Sequence, residues 1–590
     1  MQKILRIDPK DNLIVALRDL AQGDIIENEG QRIQLVTDVP AKHKFTREPV
    51  PVGGIVTLYG VPVGKAVAPL QSGERITVDN VVHYAAEVDL SDAVPYMWKA
   101  PDVSRWANRT FDGVIRPDGR VGTANYWLII PLVFCENRNA LKLRDALERT
   151  LGYAGDHLAD FARSLVGGTG CAPAPRPFPH IDGIRAITHN GGCGGTAQDA
   201  WTLCRMLAAY ADHPNVAGLT VFSLGCEKAQ IGLFQEALRE RNLGFDKPCI
   251  LLRQQDWSSE VKMMEEAVRK TLAHFKSADL VERRPVPLSK LKLGVKCGGS
   301  DGFSGISANP AIGEVSDRVV TLGGGSALAE FPELCGVEAN MISRCIRKED
   351  KARFLELMRR YEAAANACGA SISDNPSPGN IHDGLITDAI KSAGAAKKGG
   401  KAPISAVLDY AEPMPDAGLS LVCTPGNDVE AVTGLVAAGV NVVLFSTGLG
   451  TPTGNPIVPV IKVATNTAVA ERLSDLIDFD CGPIIDGEPI AAATGCSKRC
   501  STPPAGGTPP RPIGSGSMIS CSGSAKCRCS GRKGWGRDAF RRTGAPHGPL
   551  SSGKSSLFFE AVAVGGGRRM KRGRDPIQGC FAGACEGGRR

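Results

Sequence analysis

Long apolar stretches are scarce in this chain of 590 residues. The longest run, AVTGLVAAGVNVVLF (431–445), is shorter than the roughly 20 residues a membrane-spanning helix needs, and Asn441 interrupts it. The opening MQKILRIDPKDN is charged from its first residues and lacks the apolar core of a secretory leader. A soluble, cytoplasmic protein with no membrane partner is expected. GGGSALAE and STGLGTPTG do not match the Gly-x-Gly-x-x-Gly fingerprint of a dinucleotide fold, and GGGS lacks the lysine of a phosphate-binding P-loop. No nucleotide cofactor is therefore expected. No repeat of fixed period is present, and at this length two to four domains are expected instead.

Acidic residues are scarce only at the C-terminal end. From Ser497 onward there are 18 Lys and Arg against 4 Asp and Glu, whereas the preceding body carries 51 against 58. The net charge of +7 therefore comes entirely from the last segment, and an acidic body argues against a phosphate-tracking nucleic-acid groove. The segment, from about 496 to 590, has no helical or strand period and reads as a disordered basic tail. Its mix of Gly, Arg, Ser, Pro, Ala and Cys is what GC-rich DNA yields in a shifted reading frame. It holds 7 of the 19 cysteines, but neither CSKRC nor CRC completes a four-ligand zinc site. The other twelve, in a cytoplasmic protein, are thiols or metal ligands rather than a disulfide framework.

Apolar patterning divides the body. Residues 1–87 consist of short strand-like runs separated by Pro and Gly turns, a small β domain. Residues 88–110 read as a linker. From 111 apolar strands alternate with helical segments, the signature of α/β domains with parallel sheets, here 111–285 and 286–495 with VERRPVPLSK at the boundary. In open parallel sheets ligands bind beyond the carboxyl ends of the strands. Five such ends are expected to share one edge: His189 and Cys193, Cys226 and Glu227, Cys297 and Asp301, Gly323 to Ser326, and Thr447 to Gly454. His189, Cys193, Cys226 and Cys297 suit a metal ion, or the three thiolates an iron–sulfur cluster; the plainer alternatives are buried small hydrophobes and a structural histidine.

At these residues the sequence resembles the altronate dehydratase/galactarate dehydratase family. The likeness covers about 1–490 and rests on motifs in order, among them YGVPVG, RPDGRVGTANY, SLGCEKAQ, KCGGSDGFSGISANPAIGEVSD, FPELCGVE, NPSPGN, KSAGAAKKGG, TPGNDVEA and STGLGTPTGNP. It implies a small N-terminal β-clip (SAF-like) domain followed by Rossmann-like α/β domains. It also implies a hydro-lyase that converts a sugar acid to its 2-keto-3-deoxy acid in hexuronate catabolism. D-altronate is the first expectation and galactarate the alternative; a nicotinamide oxidoreductase and a nucleic-acid binder are weaker readings. The implied cofactor is a divalent metal, Fe(II) first and Mn(II) second, and the expected assembly is a homo-oligomer. The sequence departs from the pattern at TVDN (Thr77 to Asn80), where altronate dehydratases carry His-x-His-Asn, and at Leu58, Ala124, Ile381 and Leu449, where basic residues are expected.

Dehydration of a 2,3-dihydroxy acid requires a base for the C2 proton, an acid for the C3 hydroxyl, and stabilisation of the enediolate. With the resemblance, His189, Cys193, Cys226 and Cys297 are expected near the metal, and Glu227, Asp301 or His43 as acid and base. Ser300, Ser304, Asn309, Thr447 and Gly448 are expected to bind the substrate.

Overall fold

The computed structural model describes residues 2–84, 96–153, 157–167, 176–490 and a two-residue strand, Met518–Ile519. Apart from that strand, the tail expected to be disordered lies outside the described residues, as does the first part of the expected linker. Residues 2–84 are β structure throughout. One antiparallel sheet joins Ile4–Leu5, Leu13–Ala16 and Lys44–Thr46, and another joins Ile55–Leu58, Val61–Ala66 and Val81–Val82. All four residues of Leu13–Ala16 are buried, so this strand serves the core on both faces.

Two parallel sheets follow. The first has four strands in the order Gly183–Ala186, Tyr126–Pro131, Val216–Ser223, Cys249–Arg253. The second has seven, ordered Ile404–Leu408, Gly418–Val422, Gly325–Leu328, Lys292–Cys297, Val442–Thr447, Val460–Ala464, Phe479–Asp480. Strands buried on both faces read as unbroken apolar runs, and VVLFST (442–447) is buried at every position. An antiparallel strap, Thr110–Ile115 with Arg283–Pro287, ties the start of the second unit to its end. The helix and loops that separate the strands carry the apolar core across the unit boundaries. Leu13, Leu58 and Tyr59 share one core cluster with Phe303, Ile306 and Ile390, and Tyr126 and Leu207 share another with Val436 and Phe445. Among the described residues, no helix is long and apolar enough to cross a membrane.

Two expectations about strand ends are corrected. The five loops do not belong to one sheet: His189 ends a short strand, Thr188–His189, that pairs with Met518–Ile519, Cys226 and Glu227 follow a strand of the four-stranded sheet, and Cys297, Asp301 and Thr447 end or follow strands of the seven-stranded one. DRVVT is not a strand ahead of the GGGS loop. It closes the helix Ala308–Thr321, whose Ile312, Val315 and Val319 recur at helical spacing and are fully buried. Gly323 and Gly324 then turn the chain into the strand Gly325–Leu328, so this glycine run lies at the amino end of its strand, opposite the ligand-binding edge.

Candidate active site

Lys292–Cys297, the first strand of the seven-stranded sheet in chain order, sits mid-sheet between Gly325–Leu328 and Val442–Thr447. Successive strands first build outward on one side and then return to the other, so the sheet changes direction at this strand and a crevice opens at its carboxyl end. Cys297 ends the strand, and the glycines after it are a steric requirement. A Cβ on Gly298 would stand 2.4 Å from Asp428 Oδ2 and 2.5 Å from Phe445 Cζ, and Gly299 adopts φ +61°.

Lys296 lies within this strand and is fully buried, which a lysine tolerates only with counter-charges. It pairs with Glu330, and with Asp428 Oδ1 at 2.8 Å. Lys398, also buried, lies 3.3 Å from Glu330 Oε2 and 3.5 Å from Glu333 Oε2, and donates to Cys297 Sγ at 2.6 Å. Lys391 reaches Glu333 Oε1 at 3.1 Å. Glu330 is held at φ +72°, a left-handed conformation that a non-glycine residue adopts under constraint. Burial acts to strip protons from Lys296 and Lys398. The facing groups outweigh it and hold both ammoniums above the ordinary lysine range: Glu330, Asp428 and Glu333 for Lys296, and, for Lys398, the Cys297 sulfur that accepts its hydrogen bond and the two glutamates. Burial opposes ionisation of Glu333, but Lys391, Lys398 and Lys296 hold it well below the usual carboxylate range. Burial, followed by Glu333, pushes the Cys297 thiol up to about 12, so it stands protonated and donates to Glu333 Oε2 at 3.1 Å.

A cavity of about 270 Å³ opens onto this cluster. Its charged walls are Glu333, Lys391 and Asp428; Asn375, Asn380, Ser300 and Ser377 supply amides and hydroxyls, and Leu449 supplies an apolar edge. Asn380 donates to Ser300 O at 2.8 Å, and its Oδ1 accepts from Lys391 at 3.3 Å. Among the described residues, Lys391 is the one cationic side chain lining the cavity.

Of the sequence-predicted residues, Cys297 and Ser300 line this cavity and the others do not. Asp301 is buried beneath the loop, accepting from Ser304 Oγ at 2.9 Å and from Asn466 Nδ2 at 3.3 Å, with Lys42 3.3 Å away. Gly448 packs directly on Asp301, where a Cβ would come within 2.5 Å of its Cγ. Asn309 is committed to Gly394 O and Ser446 Oγ. Thr447 Oγ1 accepts from the amides of Leu449, Gly450 and Thr451 and so holds the turn. His43 Nε2 donates to His382 O at 3.1 Å. Cys193 and Cys226 are exposed on adjoining loops, joined where Lys228 and Ala229 donate to Gly192 O. Glu227, between them, is buried and accepts from Ser223 Oγ and from Gly225 N. His189 is buried with both ring nitrogens engaged: Nε2 donates to Pro131 O at 2.7 Å and Nδ1 accepts from Gly191 N at 3.1 Å. Neither ring nitrogen is open to a cation in this arrangement. The residues missed are Lys296, Glu330, Glu333, Lys391, Lys398 and Asp428. The signal for the first was present, a lysine between Val295 and Cys297 in a strand that is buried from Leu293 onward.

The N-terminal domain docks beside the cavity. Lys42 bridges Asp301 and Asp383 at 3.3 and 3.5 Å, and fully buried Lys44 donates to Gly384 O at 2.6 Å. Gly302 and Gly384 are needed where Lys42 O approaches, because a Cβ at either would stand 2.4–2.5 Å from it.

Two groups of residues among those described bring three candidate metal ligands within 4.8 Å of one another: Cys297, Glu330 and Glu333, and separately His83, Cys335 and Asp388. Neither includes His189, Cys193 or Cys226. The first group does not fit a dication. Each of its four carboxylate oxygens already faces an ammonium of Lys296, Lys391 or Lys398, and an added cation would stand against all three.

Family models for the altronate/galactarate dehydratase SAF domain, the second domain of D-galactarate dehydratase/altronate hydrolase and the C-terminal domain of D-galactarate/altronate dehydratase match residues 2–84, 113–279 and 288–497. The chain belongs to the altronate/galactarate dehydratase family. It is 34% identical to the altronate dehydratase of Bacillus subtilis over 488 residues, covering 83% of this chain and 92% of that protein. It is 33% identical to the altronate dehydratase of Escherichia coli over 491 residues, covering 82% and 91%. Against the galactarate dehydratase (L-threo-forming) of Escherichia coli the identity is 31% over 489 residues, covering 82% and 89%. The three family matches run through all three units of this chain, and the candidate site draws on the C-terminal one with the SAF domain beside it.

Proposed function

We propose that this chain is a hydro-lyase that dehydrates an aldonate, D-altronate, to 2-keto-3-deoxy-D-gluconate, in the cytoplasm. The observation that carries the choice of substrate is the single cation in the cavity wall. A monocarboxylate is matched by Lys391, whereas a dicarboxylate such as galactarate calls for a second cationic clamp, and Leu449 supplies none. The two altronate dehydratases among the relatives agree with this choice. The TVDN stretch favours galactarate, and the experiment below separates the two.

In this reading Lys391 holds the substrate carboxylate and stabilises the enediolate that develops from it. Asn375, Asn380 and Ser300 orient the polyol. Glu333 has both oxygens committed to lysines, whereas Asp428 is about a quarter exposed and is tied through Oδ1 alone, so Asp428 is the base. It removes the C2 proton; the carboxyl group so formed returns that proton to the C3 hydroxyl, which leaves as water. The enol tautomerises to the 2-keto acid. Lys296 and Gly298 position Asp428, one by charge and one by leaving room. No step is routed through a metal at the Cys297 group, because its charges are already balanced.

The test is an anaerobic assay of the full chain with D-altronate, galactarate and related aldonates, with Fe(II) or Mn(II) supplied, measuring the 2-keto-3-deoxy acid formed. Turnover of altronate with little of galactarate is expected. Turnover of galactarate alone would replace the substrate assigned, and none with any sugar acid would remove the reaction.

A further inference from the structure

Imidazole, thiol and carboxylate also converge where the N-terminal domain meets the helix Asp388–Ala396. His83 follows the strand Val81–Val82, Cys335 follows the turn Phe331–Leu334, and Asp388 opens the helix. The same corner is pinned by Thr387, which caps the helix and donates to Val63 O at 2.6 Å. Val63 belongs to the strand that pairs with Val81–Val82, so three elements hold the three side chains in place.

Asp388 calls for a ligand. Its side chain is 2% exposed; Oδ1 is bonded to His83 Nδ1 at 2.6 Å, while Oδ2 is buried without a donor in hydrogen-bond geometry, the Cys335 thiol being the group that approaches the carboxylate. A buried carboxylate oxygen without a donor is costly and uncommon in a native fold. Cys335 is buried beside it, and burial followed by Asp388 keeps its thiol protonated. Glu338 lies close enough to feel the charges of both Asp388 and His83.

We propose that His83 Nδ1, Cys335 Sγ and the Asp388 carboxylate form a binding site for a divalent transition-metal ion of borderline softness, of the Zn(II) or Fe(II) class. One nitrogen, one sulfur and one hard oxygen donor is a set that suits such ions and disfavours Mg(II) and Ca(II). The charges balance. The bonded His83–Asp388 pair and the Cys335 thiol together lose two protons as the dication enters, so the net charge of the corner is unchanged. The ion would tie the N-terminal domain to both elements that wall the cavity, since Cys335 lies two residues beyond Glu333 and Asp388 three before Lys391. The site is separate from the balanced Cys297 group and rests on no assumption about the reaction.

The test is titration of the chelator-treated full chain with Co(II), following bound metal and the thiolate-to-cobalt charge-transfer absorption. Wild type should bind one more equivalent than His83→Ala, and the part of the charge-transfer band that His83→Ala removes should also be lost in Cys335→Ser and kept in Cys297→Ala. The difference between wild type and His83→Ala cancels any cobalt held by the C-terminal cysteines, which both carry. His83 is partly exposed and its replacement leaves no core cavity, so this variant reads out even where Cys335→Ser fails to fold. Equal stoichiometry and equal spectra in wild type and His83→Ala would overturn the proposal.

Discussion

Lys296 carries three dependencies at once: it neutralises Glu330, positions Asp428 and occupies a core position in a central strand. Replacing it with Met keeps the packing and deletes the charge, leaving Glu330 buried beside Glu333 with Lys398 alone to balance it. Stability should fall by about 3 kcal/mol at pH 8, within the range for breaking a buried pair. The sign of the pH dependence follows. Burial and Glu333 already raise the Glu330 pKa, and loss of Lys296 raises it further, so the folded variant binds a proton that the unfolded chain lacks. Its deficit against wild type should shrink as the pH drops from 8 to 6, and Glu330→Gln in the same chain should restore part of it. Urea unfolding of the three proteins at both pH values measures this. None of these partners could be found from spacing. Glu330 lies 34 residues and Asp428 well over 100 residues from Lys296, in motifs (FPELCGVE, TPGNDVEA) whose acidic residues carry no local pattern.

Among the elements, the loop that leaves the central strand has the least freedom. Gly298→Ala would push a methyl into Asp428 and Phe445, and is expected to cut kcat at least 10-fold while circular dichroism is unchanged; Gly232→Ala, on an open helix face, should leave both as they are. A Gly298→Ala enzyme with wild-type kcat would mean that Asp428 is not held where the chemistry needs it. This element was legible in sequence, because KCGGSDG follows an apolar run and its glycines announce a close approach. The GGGS loop was not. Val and Thr ahead of it carry strand propensity, and only the recurrence of Ile312, Val315 and Val319 identifies the helix. His189 was legible as special, but its ring serves the backbone, tying its own loop at Gly191 to the end of the strand Tyr126–Pro131.

At the scale of the whole molecule, the succession of β and then α/β structure was visible in the patterning, because short strand runs give way to strands alternating with helices. That the strand ends of the two sheets do not share one edge was not, since the strand runs of both look alike and only pairing separates them. Domain docking leaves a signature in Lys44, where burial, only partly offset by Asp301, lowers the pKa to about 7. In the unfolded chain Lys44 keeps its ordinary value, so between pH 7 and about 10 the unfolded state binds more protons and this group makes stability rise with pH. Lys44→Met should flatten that part of the stability profile; an unchanged slope in thermal unfolding between pH 7 and 9.5 would place Lys44 in water rather than under the third unit.

The most direct measurement is turnover of C2-deuterated altronate by the wild-type chain and by Asp428→Asn. With Asp428 as the base at the carboxyl end of the central strand, the wild type should show a primary isotope effect, and Asp428→Asn should lose on the order of 10²–10⁴-fold in kcat with its fold intact. An Asp428→Asn enzyme that turns altronate over at the wild-type rate would contradict the account.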